Sequence, residues 1–143
     1  MDFICSASGK ILKQNIIFNK SVLEKTPAIR ASILDKNEYH TLIMIDIDAP
    51  RPSKNSSSPF LHWIISNLKP VLNNENLLIC PYHPPSPPYK NEPHRYEFRI
   101  YKQKEKILSA TKLDFTHNFD IDKFASTHSL EYVTKNIIRV VDA

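Results

Sequence analysis

The chain has 143 residues, of which 41% are hydrophobic and 24% charged. This length suits one domain, residues 1–143, that buries roughly two-thirds of the surface its unfolded form exposes. The net charge is +4, but the basic residues are scattered among the acids, so the sequence does not favour a nucleic-acid partner. No apolar run is long enough for a transmembrane segment. Gly9 is the one glycine, so turns that need positive φ must fall to Asn, Asp or proline-directed geometry.

Cys5 and Cys80 are the two cysteines, without C-x-x-C spacing and without a basic segment typical of a secretory signal before them. Such usage is typical of reduced thiols. We therefore expect a cytoplasmic protein whose two cysteines are not bridged. The abundance of Asn, Lys and Ile beside a single glycine is typical of AT-rich genomes; for a viral source, the compartment would be the host cytoplasm.

Taken in chain order, the hydrophobic pattern predicts a mostly β protein. Strands are predicted at Lys10–Phe18, Tyr39–Ile47, Phe60–Leu68, Asn76–Cys80, Arg95–Tyr101 and Asn136–Val141. The second is apolar almost throughout, which is typical of a strand buried on both faces. Arg95–Tyr101 alternates and predicts a half-buried strand.

One helix is predicted at Asp120–Ser129, because Ile121, Phe124 and Ala125 fall at i, i+3 and i+4 and Asp120 can cap the first turn. Together with the strands, this pattern favours a β-sandwich with one or two short helices.

Two carboxylates end the central strand. Asp46 and Asp48 are two residues apart and so share one face of the strand, and Pro50 then stops the ladder. Paired Asp at a strand end is usually turn chemistry, but the same residues suit a metal site or a small polar pocket.

Two histidines lie near the ends of the neighbouring strands. His62 is near the start of one strand, on the same face as Ile64 by the period of two, and His94 precedes another in phase with Tyr96. Polar groups that converge at strand ends form pockets in β folds. A structural role for each histidine is the alternative, and two Asp with two His could bind a divalent metal, although their spacing matches no recognised signature. His40, His83, His117 and His128 have no assigned role.

Two motifs carry a family resemblance. The first is Asp46-Ile47-Asp48-Ala49-Pro50 followed by the His-containing strand at 62–67, and the second is Pro87-Pro88, a short gap and His94-Arg95-Tyr96. In order and composition they resemble the phosphatidylethanolamine-binding protein family, which includes Raf kinase inhibitor protein and the flowering locus T-like regulators. The match is good over residues 40–103 and weaker to the closing strand. The resemblance implies an antiparallel, Greek-key β-sandwich.

The resemblance also implies a pocket for phosphate-type anions or phospholipid headgroups such as phosphatidylethanolamine, without metal or cofactor. Its expected ligand-binding residues are Asp46, His62, His94, Tyr96, Pro50, Pro87 and Pro88, with Asp48, Pro84 and Ser86 in support. Histidine N–H groups can donate to an anion. Asp46 would orient a histidine, raise its basicity or meet an ammonium group, and Asp48 would fix the turn.

The chain departs from the family pattern around the pocket. Ile47 stands where the family has proline, and the usual glycines of the pocket loop are replaced by Pro84, Ser86, Glu92 and Pro93. Larger or more rigid residues should stiffen and narrow the rim. The chain is also shorter at both ends than the family members, and we expect no C-terminal helix after the last strand.

No nucleophile with an adjacent base is visible, so we expect a non-enzymatic binding or regulatory protein with an anion pocket. Peripheral membrane contact through a headgroup is compatible with this function. The alternative is a surface that regulates a kinase, protease or other partner, with a vestigial pocket. Pro81–Pro88 could be a polyproline ligand, but the family fold favours a stiff pocket wall.

Overall fold

The computed structural model describes residues 4–30, 32, 34–35, 37–70 and 75–143. In these ranges there are nine strands and one α-helix: β1 Cys5–Ala7, β2 Lys10–Ile11, β3 Ile17–Asn19, β4 Ala28–Ile29, β5 His40–Asp46, β6 Phe60–Leu68, β7 Leu77–Cys80, β8 His94–Gln103, α1 Ile121–Thr127 and β9 Leu130–Val141. A short 3₁₀ helix, Lys20–Leu23, follows β3. The mostly β prediction is confirmed.

The strands form two sheets. The small sheet has the order β2-β1-β4, and the large sheet has the order β3-β9-β8-β5-β6-β7. Within the large sheet β8 returns to lie beside β5, so strands β5 to β8 form an antiparallel Greek key. The antiparallel prediction fails at one pair, since β3 runs parallel to β9.

Both faces of the large sheet are covered. One face packs against the small sheet through a core that includes Met44, Trp63 and Phe98. The other face packs against α1 and the segment that precedes it, through a second core that includes Ile43 and Ile64. This three-layer arrangement explains why every residue of β5 is buried, as the unbroken apolar run predicts.

The half-buried prediction for β8 is wrong on its polar face. Glu97 is buried there, because Arg99 donates to its carboxylate at 2.8 Å and the Lys135 ammonium lies 3.6 Å away. Paired charges therefore cover a face that the alternation alone assigns to solvent.

The single first strand predicted at Lys10–Phe18 is also wrong. A polar turn divides it into β2 and β3, which belong to different sheets, and Asn15 takes a left-handed conformation in that turn, with φ of 62°. The shortage of glycine has the expected effect elsewhere. The other described non-glycine residues with positive φ are Ser8, Asn67, Asn91, Asn118 and Ser129, and asparagine tolerates this region best.

The helix forms where the sequence predicts it. Asp120 caps α1 by accepting a hydrogen bond from the Lys123 backbone N–H at 3.0 Å, and Ile121 and Phe124 face the second core. The segment before it, residues 104–119, runs along the edge of the large sheet: Leu113 N–H donates to the Ile79 carbonyl, and Leu61 N–H donates to the Thr116 carbonyl. Across the described ranges no helix has the length and apolar character needed to cross a bilayer.

The two cysteines are separate buried thiols. Burial raises the pKa of both, to about 11 for Cys80. A thiol with a raised pKa carries little thiolate near neutral pH, so neither side chain has the character of a reactive cysteine.

Candidate functional site

The last residue of β5 anchors the candidate site. Asp46 is 4% exposed, and its two carboxylate oxygens accept hydrogen bonds from different groups. Oδ1 accepts the backbone N–H of Asp48 at 2.8 Å, and Oδ2 accepts the Nδ1–H of His94 at 2.8 Å. Of the three roles predicted for Asp46, the structure contains the orientation of a histidine. Because Nδ1 is held by the carboxylate, Nε2 of His94 is left without a partner, and it is buried.

His62 reaches the site through a β-bulge. The register of β5 with β6 pairs Met44 with Trp63 and then Ile45 with Leu61, so His62 is the extra residue. A bulge re-aims a side chain and breaks the period of two. His62 therefore lies on the Trp63 side of the sheet, and its predicted position on the face of Ile64 is wrong, since Ile64 belongs to the opposite core.

Backbone atoms of the proline-rich loop hold the His62 ring. The imidazole Nδ1 lies 2.6 Å from the His83 carbonyl oxygen. A carbonyl only accepts hydrogen bonds, so Nδ1 carries the proton and donates it. Burial lowers the pKa of His62 to about 4. Near neutral pH the ring is therefore uncharged, with Nε2 as a lone-pair acceptor.

These side chains surround one cavity of about 200 Å³ at the end of strands β5, β6 and β8. Its polar lining comes from Asp46, His62, His94, Tyr96, Ser57, Ser86 and His83, and its apolar lining from Ala49, Pro50, Phe60 and Pro88. Of the predicted wall residues, Pro84 and Pro87 do not line it. Within the described ranges no cluster of three or more His, Cys, Asp or Glu side chains could hold a metal ion.

Tyr96 lines the cavity beside both histidines. Its ring packs edge-on against His62 at a centroid distance of 5.2 Å and lies 6.4 Å from the His94 ring. Burial, followed by the charge of Asp46 and a hydrogen bond to its carboxylate, raises the pKa of Tyr96 well above its usual range. The hydroxyl is therefore neutral and serves as a hydrogen-bonding group.

Asp48 does not line the cavity but ties the turn after β5 to β8. Its carboxylate accepts three hydrogen bonds from Arg95, from the backbone N–H at 2.8 Å, from Nε at 2.9 Å and from Nη2 at 2.8 Å. Burial acts to raise the pKa of Asp48, but the hydrogen bonds from Arg95 outweigh it and the pKa is lowered. The carboxylate is therefore ionised and holds the turn in place.

An ion pair joins the two loops that form the rim. Arg51, directly after Pro50, donates from Nε and Nη2 to the Glu92 carboxylate at 2.9 and 2.7 Å, and its guanidinium carbon lies 4.1 Å from the centre of the Tyr89 ring. Glu92 is one of the positions where the resemblance led us to expect glycine. Its side chain supplies a bidentate contact that links the two motif loops across the rim.

We expect the Arg51–Glu92 pair to stabilise the rim modestly. Both side chains are partly exposed, at 40% and 27%, and exposed ion pairs contribute little to stability. A double-mutant cycle with Arg51→Ala and Glu92→Ala, measured by urea unfolding, should give a small favourable coupling energy at low salt. The coupling should shrink in 1 M NaCl because salt screens exposed charges. A coupling of zero at low salt would contradict the prediction.

Sequence reasoning missed His83 and Phe60. The His83 ring stacks on Phe115 with centroids 4.0 Å apart and lies 5.4 Å from the His62 ring. His83 N–H also donates to the His62 carbonyl beyond the end of β7. Extension of β7 at the register of Ile64 with Cys80 would have placed Tyr82 opposite His62, so strand phase alone could not have located His83. Phe60 lines the cavity, but the sequence indicated it only as the first residue of a predicted strand.

The comparison with family models agrees with this geometry. Residues 7–139 match the model described as "Phosphatidylethanolamine-binding protein". The chain belongs to the phosphatidylethanolamine-binding protein family. Among its curated relatives is Protein MOTHER of FT and TFL1 homolog 2 from Oryza sativa, 30% identical over 122 residues, which cover 83% of this chain and 68% of that protein. Carboxypeptidase Y inhibitor from Saccharomyces cerevisiae is 28% identical and covers 83% and 67% of the two chains.

Solved structures of the family share the fold. The phosphatidylethanolamine-binding protein from Plasmodium vivax superposes with a TM-score of 0.81 at 20% identity, over 99% of this chain and 85% of that one. Carboxypeptidase Y inhibitor, solved in complex with its cognate proteinase, superposes with a TM-score of 0.79 at 21% identity, over 98% and 82%. The predicted family and fold are thus confirmed.

Proposed function

We propose that the chain is a non-enzymatic regulatory protein whose cavity binds a small phosphorylated anion, either free phosphate or a phospholipid headgroup of the phosphatidylethanolamine type. The observation that carries the proposal is the buried, unpartnered Nε2 of His94, on a ring that lines the cavity and is held by Asp46. A buried polar atom without a partner is costly. A ligand atom in the cavity would satisfy it.

Charge supports an anion once His94 is protonated. Asp46 accepts from Nδ1 and stabilises the positive ring, as a carboxylate does for an imidazolium. The Nε2–H of that ring would then donate a charge-assisted hydrogen bond to a phosphoryl oxygen. Asp46 is shielded from the anion by its own hydrogen bonds to His94 and Asp48, so its charge holds the donor in place.

The surroundings of the two serines in the cavity support a binding function without catalysis. Ser57 and Ser86 line it, but no described histidine nitrogen is hydrogen-bonded to either hydroxyl, and the Nδ1 atoms of His62 and His94 are held by a carbonyl and a carboxylate. Activation of a serine requires a base within hydrogen-bond reach.

Calorimetric titration of phosphoethanolamine tests the proposal. At pH 6, we expect His94→Ala to bind about 10- to 100-fold more weakly than wild type, because a charge-assisted hydrogen bond is worth roughly 1.5–3 kcal/mol. The matched control is His117→Ala, an exposed histidine outside the cavity, which should bind like wild type. Equal affinity of His94→Ala and wild type would reject this site.

The same titration at pH 8 should give weaker binding. The titratable groups that line the cavity are Asp46, His62, His83, His94 and Tyr96. His62 is neutral at both pH values because burial lowers its pKa to about 4, and Tyr96 is neutral because its pKa is raised. A free imidazole has a pKa of about 6.5, and above this range an imidazole donor carries no positive charge. The charge-assisted hydrogen bond to the anion is then lost, so affinity should fall as pH rises.

Vesicles distinguish the two sources of phosphate. If the natural ligand is a headgroup, the protein should sediment with phosphatidylethanolamine vesicles and less with phosphatidylcholine vesicles, because a quaternary ammonium has no N–H to donate to an acceptor in the cavity. Binding of inorganic phosphate without vesicle binding would assign a soluble ligand.

A second function is favoured by one comparison. A relative with the same fold was solved in complex with its cognate proteinase, so a protease is the partner class to test for the outer surface. Inhibition of carboxypeptidase Y by the purified chain, retained in His94→Ala, would favour this second function and separate it from the cavity.

A further inference from the structure

The two histidines of the cavity differ in the group that fixes them. His94 Nδ1 donates to a carboxylate at 2.8 Å, and His62 Nδ1 donates to a neutral backbone carbonyl at 2.6 Å. The carboxylate compensates a second proton on His94, whereas for His62, which is 4% exposed, the His83 carbonyl and the charge of Asp46 do not outweigh the cost of burying a second proton. Burial accordingly lowers the pKa of His62 to about 4.

The ring partners of His62 reinforce this difference. Its imidazole is enclosed by Phe60, His83 and Tyr96, with ring centroids 5.2–5.4 Å away. None of these neighbouring rings carries a negative charge near neutral pH. Asp46 is the acid of the cavity lining, and its Oδ2 is already engaged by His94. His62 Nε2, which makes no hydrogen bond within the part of the chain that the structure describes, therefore offers a lone pair to the cavity.

We propose that His62 is a specificity-determining acceptor, so that the cavity selects an oxyanion that still carries a proton, such as a singly protonated phosphate monoester or phosphonate, and rejects a fully deprotonated one such as sulfate. This inference rests on the proposed anion-binding function. In the complex, protonated His94 donates through Nε2 to one ligand oxygen, and the ligand P–O–H donates to Nε2 of His62. Sulfate has the same shape and charge-bearing oxygens, but near neutral pH it has no hydrogen to donate, and its oxygen would face the lone pair.

The test compares inorganic phosphate with sulfate by calorimetry at pH 6 and constant ionic strength, where phosphate is mainly singly charged. Wild type should bind phosphate at least about tenfold more tightly than sulfate, since a site built to accept a hydrogen bond rejects a ligand that lacks the donor. A phosphate-to-sulfate affinity ratio below ten would overturn the inference while leaving the anion pocket intact. Absence of phosphate binding would overturn both.

A variant assigns the selectivity to His62. His62→Phe keeps an aromatic ring among Phe60, His83 and Tyr96 but removes the lone pair, so its phosphate-to-sulfate ratio should fall below about three. Circular dichroism and thermal unfolding establish that the variant is folded, and the wild-type ratio stands as a test that needs no variant. The matched control, His117→Phe, should keep the wild-type ratio. A folded His62→Phe variant with a ratio of ten or more would overturn the role of His62.

Discussion

The wild-type protein should lose about 3 kcal/mol of unfolding free energy between pH 7 and pH 4 through His62 alone. Burial lowers the pKa of this histidine from 6.5 to about 4 in the folded state. Between these values the unfolded chain binds a proton that the folded chain does not. The free energy of unfolding therefore rises with pH across this window, and the whole contribution of His62 is reached above pH 6.5. Each pKa unit corresponds to about 1.4 kcal/mol.

Urea unfolding of wild type and His62→Phe at pH 7, 5.5 and 4, in a buffer without phosphate, measures this contribution. Phenylalanine cannot bind a proton, so the variant should lose about 3 kcal/mol less than wild type over the same range. His40, whose pKa is also lowered by burial, titrates in both proteins and cancels in the difference. Parallel pH profiles for the two proteins would show that His62 is protonated in the folded state, and would also remove the basis for its acceptor role.

Arg95→Ala should lower the free energy of unfolding by about 3 kcal/mol at pH 7. Asp48 is 2% exposed and keeps its charge in the fold because Arg95 supplies two side-chain hydrogen bonds. Removal of one partner leaves a buried carboxylate with insufficient compensation, which typically costs about 3–5 kcal/mol. We expect the lower end, because the Arg95 side chain is itself about half exposed.

The control is Arg139→Ala. Arg139 lies opposite Arg95 on β9 and is exposed, so its removal should change stability by no more than about 0.5 kcal/mol.

The contribution of the Asp48–Arg95 pair to stability depends on pH, and the sign of this dependence follows from the pKa of Asp48. The pKa of Asp48 is lowered in the fold, so the contribution of the pair is present above pH 3.8, the value for the unfolded chain, and is lost as pH falls through the lower folded value. A loss below 1 kcal/mol for Arg95→Ala at pH 7 would contradict this account of the turn.

Local sequence determined much of the large sheet. The apolar run around β5 and the β-branched and aromatic run of β6 predict strands at nearly their observed bounds, because residues of these types form a strand wherever a core covers them. The helix was predictable for the same local reason, an apolar stripe with a capping aspartate. The residues of the two motifs also placed Asp46 and His94 at neighbouring strand ends, and the structure brings them within hydrogen-bond distance.

Tertiary structure decided the details that set the chemistry of the cavity. The bulge at His62 depends on how β6 pairs with β5, and a period of two cannot reveal an extra residue. The proton on His62 Nδ1 depends on the carbonyl of His83, a residue 21 positions away. The rim contact between Arg51 and Glu92 spans 41 positions. Sequence alone determined that Asp46, His62, His94 and Tyr96 could form a polar pocket, because residue type and position near a strand end are local. Which of them donate and which accept was decided by the fold, because a hydrogen bond depends on where distant segments of the chain meet.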